Sequence, residues 1–188
     1  YKEKVGTSVV NYAGNYPGAV DGELWYDSTN KDFKYQYPNV TAAGSWRTAV
    51  SLNTARRVLA GVGTYTASLA FGGYNGTTQV ATTELYNGTN WTSVNSLNGV
   101  KSALAGAGTA TAALSFGGYA PPGNQATTET WNGTNWTEVN DLNTARYTLG
   151  GTGTNTAALA FGGQSDPPVQ AVTELWNGTN WTEVNDLN

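Results

Sequence analysis

The stretch Thr82–Asn95 reads TTELYNGTNWTSVN, and its reading decides the fold. Its centre, Asn87–Trp91 (NGTNW), returns at Asn132–Trp136 and at Asn177–Trp181, 45 residues later each time. Counting 45 back from Trp91 reaches Trp46, inside Gly44-Ser45-Trp46, so Trp46, Trp91, Trp136 and Trp181 mark one period. A fixed period of this length signals a repeat architecture, in which each unit buries its apolar face against its neighbours. Asn-Gly between two β-forming runs predicts a hairpin, because both residues accept the positive φ that a tight turn requires.

The rest of each repeat follows outward from that hairpin. Repeats open near Leu52–Arg56 and Leu142–Arg146 (LNTAR), or at the variant Leu97–Lys101 (LNGVK). A Gly- and Ala-rich strand is expected next, over Val58–Val62 in the first repeat. A turn leads to a second strand ending in a glycine doublet: Gly72-Gly73, Gly117-Gly118 and Gly162-Gly163. A nine-residue loop leads to a third strand (TELY and equivalents), and NGTN turns it into the fourth (NWTSV or NWTEV). In the second strand Ala67, Leu69 and Phe71 alternate with Ser68 and Ala70, which gives one large apolar face and one small one. Trp91 and its equivalents are expected to fill the space between neighbouring sheets, each indole burying on the order of 200 Å². Four short strands in each period describe the blade of a β-propeller.

From about Trp46 to Asn188 the chain resembles kelch repeats. The resemblance rests on the order Thr-Ala-Arg, apolar strand, Gly-Gly, then an aromatic (Tyr86, Trp131 or Trp176) followed by Trp91, Trp136 or Trp181. It implies an all-β fold, a β-propeller of four-stranded kelch-like blades at 47–91, 92–136 and 137–181, with another beginning at 182–188. Only Asn-Gly-Thr-Asn separates the aromatic from the Trp, shorter than is usual in that family, so no particular kelch partner is carried over. Propellers have about four to eight blades. Three repeats plus Trp46 and the preceding hairpin make roughly four, so the propeller is expected to be incomplete in this segment. An open propeller exposes a blade face, so completion by further blades or by other chains is expected, a longer chain being favoured. The start at Tyr1 and the stop at Asn188, where another Thr-Ala-Arg is due, read as parts of a longer protein.

Upstream, residues 1–20 read as a linker with one short strand near Val9–Tyr12. Residues 21–46 read as a hairpin module, with strands at Glu23–Tyr26 and Phe33–Tyr37 around the turn cluster Asp27–Asp32. GELWYDSTNKDFKY followed by GSW resembles a short module of bacteriophage tail-fibre and other virion proteins, over about 30 residues. The same residues also read as an irregular first blade, and the two readings are compatible. The resemblance implies a non-enzymatic structural or adhesion protein at a virion surface or otherwise extracellular. Its implied partners are other virion subunits, copies of itself, or a host-surface glycan. The alternative is a secreted carbohydrate-active or carbohydrate-binding kelch propeller with catalytic residues outside this segment; a cytosolic kelch adaptor ranks third.

Composition narrows the chemistry. The chain has 188 residues, no Cys, no His, only 12% charged residues and a formal charge of −4. Ser–His–Asp and Cys–His nucleophilic sites are therefore excluded within it, as are His or thiolate metal sites. The copper-radical centre of kelch oxidases and the Ser-x-Asp-x-Gly-x-Thr-Trp boxes of sialidases have no counterpart here. The reading is not an enzyme, with no cofactor and no metal. No basic stripe suggests nucleic acid, and no apolar run approaches a membrane span. Glu84, Glu129 and Glu174 share one repeat position, and Glu138 and Glu183 another, which marks them as structural rather than as a glycosidase pair. Arg56, Lys101 and Arg146 share a position too, and ion pairs with the first set of carboxylates are expected.

The second and third periods (92–136 and 137–181) agree at 27 of 45 positions, and the disagreements cluster. One cluster is the loop after the doublet, at 74–79, 119–124 and 164–169. The others are Tyr65, Ala110 or Asn155, and Arg57, Ser102 or Tyr147. Variable loops on one rim of a constant frame are where a scaffold presents contacts. Tyr74, Asn75, Tyr119, Asn124, Gln164 and Asp166 are the candidate binding residues, suited to sugar hydroxyls or protein surfaces; drift of exposed loops is the competing explanation. Six of the eight Asn-x-Ser/Thr sites lie in the repeated turn, where Asn is read as serving turn geometry rather than glycosylation.

Overall fold

A computed structural model describes residues 10–14, 24–35, 48–165 and 167–188. The chain is all-β, with no helix among the described residues. It divides between Arg47 and Thr48 into two compact units.

In the first unit, β1 (Val10–Tyr12) pairs in parallel with β2 (Leu24–Asp27), and β2 pairs antiparallel with β3 (Asp32–Tyr35). The expected hairpin is present, its second strand starting one residue early; Gln36 and Tyr37 lie outside the described residues. The short strand expected near Val9–Tyr12 is β1; its parallel pairing with β2 was not expected. Asp27 holds the turn: Oδ1 accepts from the Gly14 and Thr29 N–H groups at 2.8 and 2.9 Å, and Oδ2 from Asn30 Nδ2 at 2.7 Å. Burial pushes its carboxyl up, but the bonds from Asn30, Gly14 and Thr29 outweigh this and hold its pKa at about 2.

The second unit contains three four-stranded antiparallel sheets. The first sheet has β4 (Ala60–Thr64), β5 (Ala67–Phe71), β6 (Thr83–Tyr86) and β7 (Trp91–Val94), in that spatial order. The second has β8 (Ala105–Gly108) and β9 (Ala113–Phe116). A two-stranded excursion follows, β10 (Tyr119–Ala120) with β11 (Gly123–Asn124), and the sheet resumes with β12 (Thr128–Trp131) and β13 (Trp136–Val139). The third has β14 (Gly150–Gly153), β15 (Ala158–Phe161), β16 (Thr173–Trp176) and β17 (Trp181–Val184). Corresponding strands pair in corresponding register, Phe71↔Thr83, Phe116↔Thr128 and Phe161↔Thr173 among them.

Two local expectations are corrected. The first strand begins at Ala60, not Val58, because Val58 has φ of 49°, as do Ala103 (52°) and Thr148 (53°) at the equivalent places. A β-branched residue rarely adopts this backbone. Here it is held by hydrogen bonds between sheets: the Ala103 N–H donates to the Val58 carbonyl, and the Thr148 N–H to the Ala103 carbonyl, both at 2.7 Å. In the NGTN turn only the glycine has positive φ (Gly88, 91°). Asn87 acts through its side chain, Oδ1 accepting from the N–H groups of Thr89 and Asn90 at 2.9 and 2.8 Å.

Neighbouring sheets meet through one repeated joint. β8 lies against both β4 and β14. Trp136 packs edge-on to Phe71 of the preceding sheet, centroids 4.9 Å apart, and its Nε1 donates to Thr83 Oγ1 at 3.1 Å. Trp181 does the same with Phe116 (4.9 Å) and Thr128 Oγ1 (3.0 Å). A Cβ on Gly106 would lie 2.7 Å from Phe71 Cζ, and one on Gly151 2.6 Å from Phe116 Cζ, so glycine makes the seat for each ring. Trp46 lies outside the described residues.

Candidate binding surface and the ion pairs beneath it

The first and third variable clusters come together at one end of the sheets. Arg57 and Tyr74 exchange backbone hydrogen bonds at 3.0 and 2.9 Å, and the Arg57 guanidinium carbon stands 5.2 Å from the Tyr74 ring centroid. Ser102 and Tyr119 pair likewise at 2.9 and 2.7 Å, as do Tyr147 and Gln164 at 3.0 and 2.9 Å. The Tyr119 and Tyr147 rings lie 5.9 Å apart and span the step from the second sheet to the third. Asn124 pairs with Tyr119 across β10–β11. Asn75 is exposed, and its Oδ1 accepts from the N–H groups of Thr77 and Thr78, both at 2.9 Å, so it shapes the loop. Asp166 lies outside the described residues.

The expectation of a single variable rim is corrected. Each first strand runs away from Arg57 or its equivalent and turns at the far end, so Tyr65, Ala110 and Asn155 sit there beside the NGTN turns. Two of those turns serve packing, since the Ala110 and Asn155 carbonyls accept from Trp131 and Trp176 Nε1, each at 3.1 Å. Tyr65, 89% exposed, has no such role.

Beneath this surface each sheet carries one buried ion pair. Arg56 meets Glu84, Lys101 meets Glu129 at 3.2 Å, and Arg146 meets Glu174 at 3.2 Å. The other carboxylate oxygen accepts the N–H of Asn53, Asn98 or Asn143 at 2.7, 2.8 and 2.7 Å. Each Glu therefore clamps the lead-in of its own repeat to its third strand. Burial pushes the Glu84 carboxyl up, but the bonds from Arg56 and Asn53 outweigh this and hold it below its ordinary 4.5. Burial lowers the Lys101 pKa below 10.5 against the opposing charge of Glu129, and lowers that of Arg146 against Glu174. Both oxygens of each carboxylate are thus engaged within its own repeat. Lysine is shorter than arginine and lacks its fork, and beside Lys101 lies a cavity of about 150 Å³ bordered by Gln125, Thr127 and Glu138.

Among the described residues no group of three or more Asp, Glu, His or Cys is placed to hold a metal ion, and no helix is long and apolar enough to cross a membrane. Sequence reasoning missed Thr83 and Thr128 as the acceptors for Trp136 and Trp181. The signal was the Thr that precedes the recurring Glu in every repeat. The chain matches no protein-family model and no curated protein sequence.

Proposed function

We propose that the three sheets are kelch-like blades of a β-propeller, and that the protein is a non-enzymatic structural or adhesion component of a phage particle or its fibre. The blades serve as a rigid platform for subunit contacts or for a host-surface glycan. The observation that carries this reading is the contrast within each sheet. A constant ion-paired frame lies beneath, and a set of varied side chains (Arg57, Tyr74, Tyr119, Tyr147, Gln164) is gathered at one end above it. Aromatic faces with adjacent amides suit sugar rings and their hydroxyls, and stiff Tyr side chains lose little entropy on binding.

The test is binding of the chain to purified host-surface glycans and to whole host cells. Tyr119→Ala and Tyr147→Ala are each expected to weaken binding at least about tenfold, roughly the 1.4 kcal/mol of one aromatic contact. Unchanged binding in both variants would sink the glycan reading. The alternative, a carbohydrate-active propeller, shares this surface and predicts release of reducing sugar by the whole protein.

A further inference from the structure

The two ends of the three-sheet array are the two halves of the joint that links the sheets inside it. On the first sheet Trp91 is only half-buried, and its Nε1 has no acceptor among the described residues. A Cβ on Gly61 would meet nothing closer than the Leu69 carbonyl at 3.8 Å, so the ring seat that Phe71 fills on Gly106 is open here. An apolar groove of about 380 Å³, lined by Leu52, Leu59, Gly61, Val62, Leu69 and Trp91, marks the place. On the third sheet Thr173 Oγ1 is buried with no donor among the described residues, although Thr83 and Thr128 each accept from a tryptophan. Phe161 is half-buried, whereas Phe71 and Phe116 are fully enclosed.

We propose that a second copy of this chain docks its Phe161–Thr173 edge on the Trp91 face of the first, head to tail. Each group left over at one end has its complement at the other. Trp91 Nε1 reaches Thr173 Oγ1, and the Phe161 ring takes the seat over Gly61. The backbone agrees. Among the described residues, the Val58 N–H and the Thr148 carbonyl are the two open ends of the inter-sheet chain that runs through Ala103. Among the described residues the Gly163 N–H lacks the carbonyl that Gly73 finds at Lys101 (2.9 Å) and Gly118 at Arg146 (2.8 Å); Arg56 of the second copy supplies it. A second copy is favoured over an unrelated partner because all these matches come from one chain in the geometry it already uses twice; a further repeat on a longer chain, the other occupant that carries them, would leave the full-length protein monomeric.

Two adjustments accompany docking. The Phe161 ring, which now lies over Gly150, swings out. Leu187 occupies the seat of Leu97 and Leu142, its N–H donating to the Ala171 carbonyl at 3.0 Å as theirs do to Ala81 and Ala126. Leu52 of the arriving copy displaces it. Leu187 is 53% exposed, and local opening of so exposed a segment costs little. A head-to-tail contact closes into a ring or grows into a filament according to its rotation. Closure rests on the propeller reading, under which two copies of three sheets give six blades, inside the range of about four to eight.

The experiment is sedimentation velocity on the 188-residue chain from micromolar to submillimolar concentration. Association into species of twice the 19.7 kDa chain mass, or higher multiples, is expected. Trp91→Ala and Thr173→Arg should each weaken association at least about 30-fold, as loss of a central interface aromatic does. Mixed together they should pair one to one, because the first keeps the Thr173 edge and the second keeps the Trp91 face. Deleting Leu187 and Asn188 should tighten association. A monomeric wild-type chain, variants that associate like wild type, or two folded monomeric variants that fail to pair would each overturn the proposal. Circular dichroism checks folding, and Thr173→Val replaces Thr173→Arg if the latter unfolds. A monomer that still binds host glycan through Tyr119 and Tyr147 removes this joint alone; an associating chain that binds no glycan or particle removes the platform reading instead.

Discussion

The same pentapeptide, NGTNW, has two fates in one molecule. At the two interior joints its tryptophan is enclosed, Trp136 and Trp181 each 5% exposed, with a phenylalanine edge and a threonine hydroxyl from the preceding sheet. At the free face of the first sheet Trp91 lies beside Tyr86 of its own sheet (5.0 Å between centroids) over an open groove. Hairpin register and turn are alike, and the residue across the hairpin changes only from Trp131 or Trp176 to Tyr86, so the larger difference is the neighbour. With a neighbour on one side only, the first sheet keeps its strands but not a closed core, as expected where stability is a sum of unit and interface contributions.

Truncating the enclosed and the open tryptophan should have very different costs. Trp136→Ala removes a buried indole and its hydrogen bond and should cost about 3–5 kcal/mol. Trp91→Ala, measured at dilution where the chain is monomeric, should cost under about 1 kcal/mol, in line with a half-exposed site. Urea denaturation of both variants reads the difference. Equal losses would mean that the inter-sheet joint contributes little and that the hairpin itself is the stable unit.

The glycines probe the same contrast at smaller amplitude. A methyl on Gly106 meets Phe71 Cζ and Val62 Cγ1, and one on Gly151 meets Phe116 Cζ and the Gly106 carbonyl. Overpacking of this kind should cost Gly106→Ala and Gly151→Ala about 1–3 kcal/mol each. Gly61→Ala faces open space and should be neutral or stabilising by about 0.5–1 kcal/mol, since alanine restricts the unfolded chain. Thermal melts of the three variants decide it; a destabilised Gly61→Ala would show that the groove is already filled.

How much of this was legible follows from the range of each interaction. The hairpin of Tyr86 and Trp91, the glycine doublets and the Arg56–Glu84 pair were readable because their residues recur at one period and interact within one repeat. The positive φ of Val58 was not, because local preference opposes it and only the carbonyl-to-amide bond to Ala103 of the next sheet explains it. The division of the variable positions between two ends was missed because sequence clustering ignores strand direction, which puts Tyr65 a strand length from Tyr74. Of the candidate site, Tyr74, Tyr119 and Gln164 could be named from variation alone. Their partners Arg57, Ser102 and Tyr147 stood out as variable, but only the register across the sheet end joined them to the loops.

The threonine that accepts from tryptophan was the least legible element, and it gives the smallest and most specific prediction. Thr83 and Trp136 are 53 residues apart, and nothing local to either points to the other. Thr83→Val keeps the shape of the side chain and strands the Trp136 indole N–H, so it should cost about 1–2 kcal/mol. Thr173→Val removes a hydroxyl that is buried without a donor, so in the monomer it should be neutral or slightly stabilising. A double-mutant cycle of Thr83→Val with Trp136→Phe isolates the bond, because phenylalanine keeps an aromatic ring against Phe71 and removes only the donor and part of the packing. A coupling of about 0.5–1.5 kcal/mol is expected for neighbours that share a hydrogen bond. The same cycle built on Thr173 and Trp91 should show no coupling in the monomer, and a coupling that appears only on association would place that bond between copies.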